Sequence, residues 1–187
     1  MFKKALTRTA ILATLAAIAL AAATSAAAAN VTATATVNAG TLSLSTSATP
    51  SVASTLDGTD QTPNYTLPMT VLDATGSGTG WNVTITSTTF TTGGGSPHLL
   101  STTASNATGV SSSCATGTCT NPTNSITYPL GVPAGSSAPT AVKLFNAAAN
   151  TGMGKFTVTP TISVSIPANT YAGTYTSTVT VAVVSGP

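Results

Sequence analysis

Apolar side chains recur at every second position through most of this chain. Val31, Ala33, Ala35 and Val37 alternate with Thr32, Thr34 and Thr36, and Leu42 and Leu44 repeat the pattern after Gly40. Tyr65–Leu72 continues it across Pro68, and Trp81, Val83 and Ile85 alternate with Asn82, Thr84 and Thr86 toward Phe90. The longest run places Phe156, Val158, Pro160, Ile162, Val164 and Ile166 on one side, and the last places Tyr175, Ser177, Val179, Val181 and Val183. Successive side chains of a strand point to opposite faces, so this period reads as strands with one buried stripe. The residue types agree, because Thr, Val, Ile and aromatic residues suit a pleated, half-buried surface. Shorter candidates lie at His98–Ser101, Ser125–Tyr128 and Ala141–Phe145. About nine short strands at this spacing predict an all-β fold, an antiparallel β-sandwich of the Ig-like or Greek-key type, in a single domain.

Turn residues separate the runs: Asn38-Ala-Gly40, Asp57-Gly58, Gly93-Gly94-Gly95, Asn121-Pro122, Pro133-Ala-Gly135 and Ala172-Gly173. The most distinctive join is VLDATGSGTGWNVTI, Val71–Ile85. Its glycines at 76, 78 and 80 predict a hairpin between two strands, with Asp73 holding the turn by an Asx-type hydrogen bond. Trp81 then begins the buried stripe of the second strand. Pro160 cannot donate to a ladder, so its strand is expected at a sheet edge or a bulge. Gly93–Asn124 reads as loop, and Ala147–Ala149 as at most one helical turn.

The N-terminus has a different character. Lys3, Lys4 and Arg8 flank an Ala/Leu-rich stretch, and Ala27–Ala29 offers small residues for cleavage. Residues 1–29 therefore read as a secretory signal peptide, with residues 30–187 the mature domain; a retained membrane helix is the competing reading and the apolar core is short for it. The formal charge of +2 belongs largely to that leader. The mature part keeps Lys143 and Lys155 against Asp57, Asp60 and Asp73, a balance of −1. So few cations exclude a nucleic-acid partner, which needs several Lys or Arg against phosphates, and a polybasic lipid contact. Charged residues are 4% of the chain, against about 25% in ordinary domains. Thr, Ser and Asn must carry solubility, with little charge repulsion against contact with a polysaccharide or another copy.

Secretion makes a Cys114–Cys119 disulfide the expected state, a local staple on a loop or hairpin. A metal centre would need more soft ligands than His98, the single histidine, provides. The same scarcity removes catalysis. There is no Gly-x-Ser-x-Gly elbow, and the carboxylates are three Asp with no Glu, so neither a triad nor a supported glycosidase pair exists. Gly76–Gly80 lacks the Lys and helix of a phosphate loop. Asp57-Gly-Thr-Asp60 has too few oxygens for calcium and reads as a turn. No cofactor is expected, and the chain is read as non-enzymatic.

Three stretches resemble WxL domains, the non-covalent wall-associated domains of Gram-positive surface proteins. Asn38-Ala-Gly-Thr-Leu-Ser-Leu44 is similar to their opening. Val71–Val83, an Asp followed by a Gly-rich turn and Trp-x-hydrophobic, resembles their first hallmark. Ile166-Pro-Ala-Asn-Thr-Tyr-Ala-Gly-Thr-Tyr175 and the strand after it resemble their last. The second Trp-x-Leu hallmark is absent; Val181-Ala182-Val183 stands near its place. The resemblance implies a cell-surface location and retention by peptidoglycan or a related polymer. It nominates Trp81 and Asn82 as binding residues, beside the preferred reading of Trp81 as a core or rim anchor. A second reading comes from Pro167–Val181, which also resembles the Pro-Ala-Gly-x-Tyr strand opening of bacterial pilin-like and matrix-fibre subunits. There Asn30–Val37 would complete a neighbour's sheet.

Overall fold

The computed structural model describes residues 28–187. The expected signal peptide falls, but for its last two residues, outside the described residues. Residues 38–187 form one compact unit, built of ten strands with no helix among the described residues. None of the described helices, there being none, is long and apolar enough to cross a membrane.

The strands are β1 (Leu42–Ser45), β2 (Asn64–Thr66), β3 (Met69–Asp73), β4 (Trp81–Thr88), β5 (Ser105–Thr116), β6 (Leu130–Gly131), β7 (Ala134–Gly135), β8 (Val142–Ala147), β9 (Gly154–Val164) and β10 (Val179–Ser185). One sheet runs β1-β3-β9-β5-β6, with β2 beside β3 on the same edge of β9. The other is centred on β4, with β10 on one side and β8 and β7 on the other. All pairings are antiparallel except the two-residue β4–β7 contact. The predicted stripes meet between the sheets: Trp81, Val83 and Ile85 of β4 face Phe156, Val158 and Ile162 of β9, all of them fully buried. This is the expected all-β sandwich. Burial of these large side chains holds it together, each contributing about 1.5–3 kcal/mol.

Several local expectations change. Val31–Val37 is not a strand; Val31 and Val37 are 89% and 93% exposed. Its stripe is half alanine, which gives little apolar area to offset the entropy of ordering the segment. Strand exchange through Asn30–Val37 therefore finds no support in the fold. Gly93–Asn124 contains β5, the longest strand, which pairs with β9 from Ser105 to Thr116. Ser125–Tyr128 is not a strand but is held beside β8 by side chains. Asn146 Oδ1 accepts from the Ser125 amide at 2.8 Å, Asn124 Oδ1 from the Asn146 amide at 3.0 Å, and Tyr128 donates to the Leu144 carbonyl at 2.7 Å. Burial raises the Tyr128 phenol above its ordinary pKa, and its hydrogen bond with Asn124 lowers it in part. His98–Ser101 contributes a single bridge, Leu99 to Thr91, and Ala149–Asn150 makes a turn, not a helix.

Pro160 lies on β9, the central strand, not on an edge. Its carbonyl accepts from Leu67 N at 3.1 Å. A residue's N–H and C=O share one side of a strand, so the missing donor falls opposite Leu67–Pro68, where β2 and β3 break. On the other side β5 shifts register between Ala107 and Gly109, one residue from Pro160's partner Val110.

Cys114 and Cys119 are disulfide-bonded, with Cα atoms 5.9 Å apart. The bridge closes the end of β5, where Gly117 turns the chain at φ +72°. Cys119 packs against the core, and the next residue, Thr120, donates to Met153 O at 2.9 Å. Because the closed loop is short, reduction is expected to cost only about 2 kcal/mol. A pair of urea unfolding curves with and without reductant measures it.

Candidate functional site

Val71–Ile85 is not a hairpin. β3 pairs with β1 and β9, whereas β4 pairs with β10, β8 and β7. The Gly-rich segment is an arch that carries the chain from one sheet to the other. Gly76, Gly78 and Gly80 all have positive φ, between 65° and 74°, which a side chain would resist. Asp73 holds its start as expected: Oδ1 accepts from Thr75 N at 3.0 Å and Thr75 Oγ1 at 2.7 Å. Hydroxyls then link Thr75, Ser77, Thr79 and Ser185 at 2.9–3.2 Å.

The arch delivers Trp81 into the core. Its ring is 0% exposed, tilted against Phe145 and Phe156 at centroid distances of 5.9 and 6.4 Å. Its indole N–H donates to Gly152 O at 2.9 Å. Asn82 belongs to the face expected to meet solvent, yet it is 6% exposed, because its amide donates to Gly186 O at 2.8 Å. Thr86 is covered likewise by Pro139, whose carbonyl it meets at 2.8 Å. Gly78 O accepts from Asn150 N, and Gly80 O from Gly186 N. This end of the sandwich is closed, and the two nominated residues are parts of its closure that present almost no surface.

The opposite end is open. Phe90 lies nine residues beyond Trp81, just past the end of β4, about 30 Å away at strand rise. There a cleft of about 520 Å³ lies between Val52–Leu56 and Thr170–Tyr175, floored by Phe90, Leu100, Val164 and Ile166. Among the described residues no charged side chain lines it. Its aliphatic hydroxyls come from Ser54, Thr55, Thr170 and Thr174, and its aromatic rings from Tyr171, Tyr175 and Phe90. Tyr171 is 66% exposed and stacks on His98, ring centroids 3.9 Å apart and 10° from parallel.

The His98 and Tyr171 loops at this rim are tied down by hydrogen bonds. Thr91 bridges to Leu99 and also to Thr176, so one β4 extension anchors the His98 loop and the Tyr171 loop. Thr92 closes the former by exchanging hydrogen bonds with His98: Thr92 N donates to His98 O and His98 N to Thr92 Oγ1, both at 3.0 Å. Tyr175 closes the latter, donating its phenol to Tyr171 O at 3.0 Å. Such prior fixing lowers the entropic cost of binding. His98 is exposed, but it also backs a tyrosine. The readable signal for this rim was the pair of tyrosines at 171 and 175 in a loop otherwise made of small residues. At the far side, Asp57 accepts first from Thr59's hydroxyl, then from its amide, which holds its carboxyl below the usual pKa. That is the simple Asp-Gly turn expected there. No group of three His, Cys, Asp or Glu able to hold a metal occurs among the described residues.

A family model described as WxL domain, surface cell wall-binding, matches residues 25–187. No curated protein and no solved structure matches the chain.

Proposed function

Since the chain belongs to the WxL family of surface cell-wall-binding domains, we propose that it is a non-catalytic module held at the cell surface by non-covalent contact with peptidoglycan or a related wall polymer. The carrying observation is the family match, which takes in every strand of the sandwich. Residues 1–29 serve as the export signal in this reading, and residues 30–187 as the mature module. Two further observations support it. The described chain has only Lys143, Lys155, Asp57, Asp60 and Asp73 as charged side chains, a surface that does not repel a polymer. Among the described residues the buried core is apolar, with Asp73 its one buried carboxylate, and so offers no cluster of titratable groups of the kind catalysis uses. Trp81 and Asn82 contribute by closing the end of the fold, not as first contacts.

The exported protein is expected to co-sediment with purified sacculi. With so few charges, binding should persist in about 1 M NaCl, where the Debye length is about 3 Å. Protein that stays in the supernatant at low salt overturns the reading. Protein released by salt points instead to an anionic wall polymer held by charge, and overturns the contact proposed here.

A further inference from the structure

We propose that the cleft between Val52–Leu56 and Thr170–Tyr175 is the polymer contact, and that it takes an uncharged glycan chain with one sugar ring stacked on Tyr171. This rests on the wall-binding reading and assigns it a place.

The chemistry of the lining selects the occupant. Among the described residues nothing charged lines the cleft, so its lining offers no counter-ion to phosphate, to a peptide carboxylate or to an ammonium group. Burying such a group unpaired would be costly. A pyranose ring has the complementary character. Its axial C–H bonds make an apolar face that suits the negative face of an aromatic ring. Its hydroxyls form a polar rim, which Ser54, Thr55, Thr170 and Thr174 match with groups that both donate and accept. The size agrees as well: about 520 Å³ lies within the roughly 300–1,000 Å³ of small-molecule sites.

The rim is built to present the ring. Tyr171 keeps 66% of its surface in solvent although a neighbouring imidazole covers one face. His98 is thus a positioning residue, fixing the plane of the phenol from a loop that shares its anchor, Thr91, with the tyrosine loop. An exposed aromatic ring backed on one face by an imidazole, on a loop whose Tyr171 carbonyl is tied to the Tyr175 phenol, has less ordering entropy left to lose on binding.

The test is a titration of the exported, isotope-labelled protein with an N-acetylglucosamine hexamer, followed by amide resonances. Shifts are expected at Thr170–Tyr175 and Val52–Leu56, and Tyr171→Ala should weaken binding about tenfold, the loss of one stacking contact of about 1.4 kcal/mol. Tyr171→Phe, which keeps the ring, should bind as the parent does. Tyr171→Ala should unfold at the parent's urea concentration, because its side chain is exposed. Shifts that Tyr171→Ala leaves unweakened, shifts elsewhere, no shifts at all, or shifts at the cleft produced instead by a stem peptide or a phosphate polymer each overturn the proposal. Co-sedimentation with sacculi is scored separately. If the parent and Tyr171→Ala sediment equally, the cleft assignment falls and wall binding stands; if the parent does not sediment, wall binding itself falls.

Discussion

Trp81→Ala is expected to destabilise the domain by about 3–5 kcal/mol, a large share of the roughly 5–15 kcal/mol that holds a domain folded. The indole is fully buried and wedged between Phe145 and Phe156. Removing it leaves a cavity between the two sheets, because Phe145 belongs to β8 of one and Phe156 to β9 of the other. It also leaves Gly152 O without the indole donor, and an unpaired buried acceptor costs about 1–3 kcal/mol. Trp81→Phe separates these contributions: it restores much of the apolar volume but not the hydrogen bond, and about 1–3 kcal/mol of loss is expected for it. Because Trp81 is the only tryptophan, unfolding is followed by circular dichroism against urea. The same variants decide what the residue does. A polymer contact would lose sacculus binding with stability intact, whereas an anchor loses stability first. Parental stability in Trp81→Ala removes the account of the closed end.

How far these features were legible depended on whether side chains or backbone carried them. β9 and β4 announced themselves, because Phe156, Val158, Ile162 and Val164 face Trp81, Val83 and Ile85 and each stripe is apolar. β5 did not. Its sequence, SNATGVSSSCAT, has no apolar stripe, and from Ser111 to Thr116 its side chains are exposed. It is a strand because β9 offers a ladder along its whole length, and backbone hydrogen bonds leave no trace in hydropathy. The arch at Gly76–Gly80 reads as a hairpin in sequence for a related reason. Period two identifies strands, but which strand pairs with which is set by contacts distant in sequence, and both neighbours of that turn pair elsewhere. Pro160 shows the converse: a residue excluded from a continuous ladder sits centrally where the neighbouring strand is itself interrupted. The cleft was the least legible feature. Its stacked pair, His98 and Tyr171, is far apart in sequence and sits on two loops that both bridge to Thr91. The hallmark Trp81 drew attention to the opposite end, where burial has removed it from any surface.

Gly152→Ala is expected to rival Trp81→Ala, at about 3–5 kcal/mol, although it adds one methyl group and removes nothing. Gly152 has φ +74°, and a Cβ there would collide with the Ala147 methyl and lie 2.7 Å from the indole nitrogen of Trp81. Neither neighbour can yield easily. Ala147 is paired with Trp81 across β8 and β4, and the indole is held by its bond to the Gly152 carbonyl. The methyl must therefore displace the tryptophan, the β8 edge or its own backbone. Gly76→Ala is the matched control. Gly76 has φ +65°, but nothing lies within 4 Å of the added Cβ, so only the left-handed backbone is penalised, by about 1–2 kcal/mol. The difference between the two variants in urea unfolding isolates steric closure at the tryptophan from glycine's conformational freedom. Equal losses would mean that backbone strain alone fixes both glycines. A larger loss at Gly152 would mean that this end of the sandwich is shut by the fit of an indole against a residue that has no side chain.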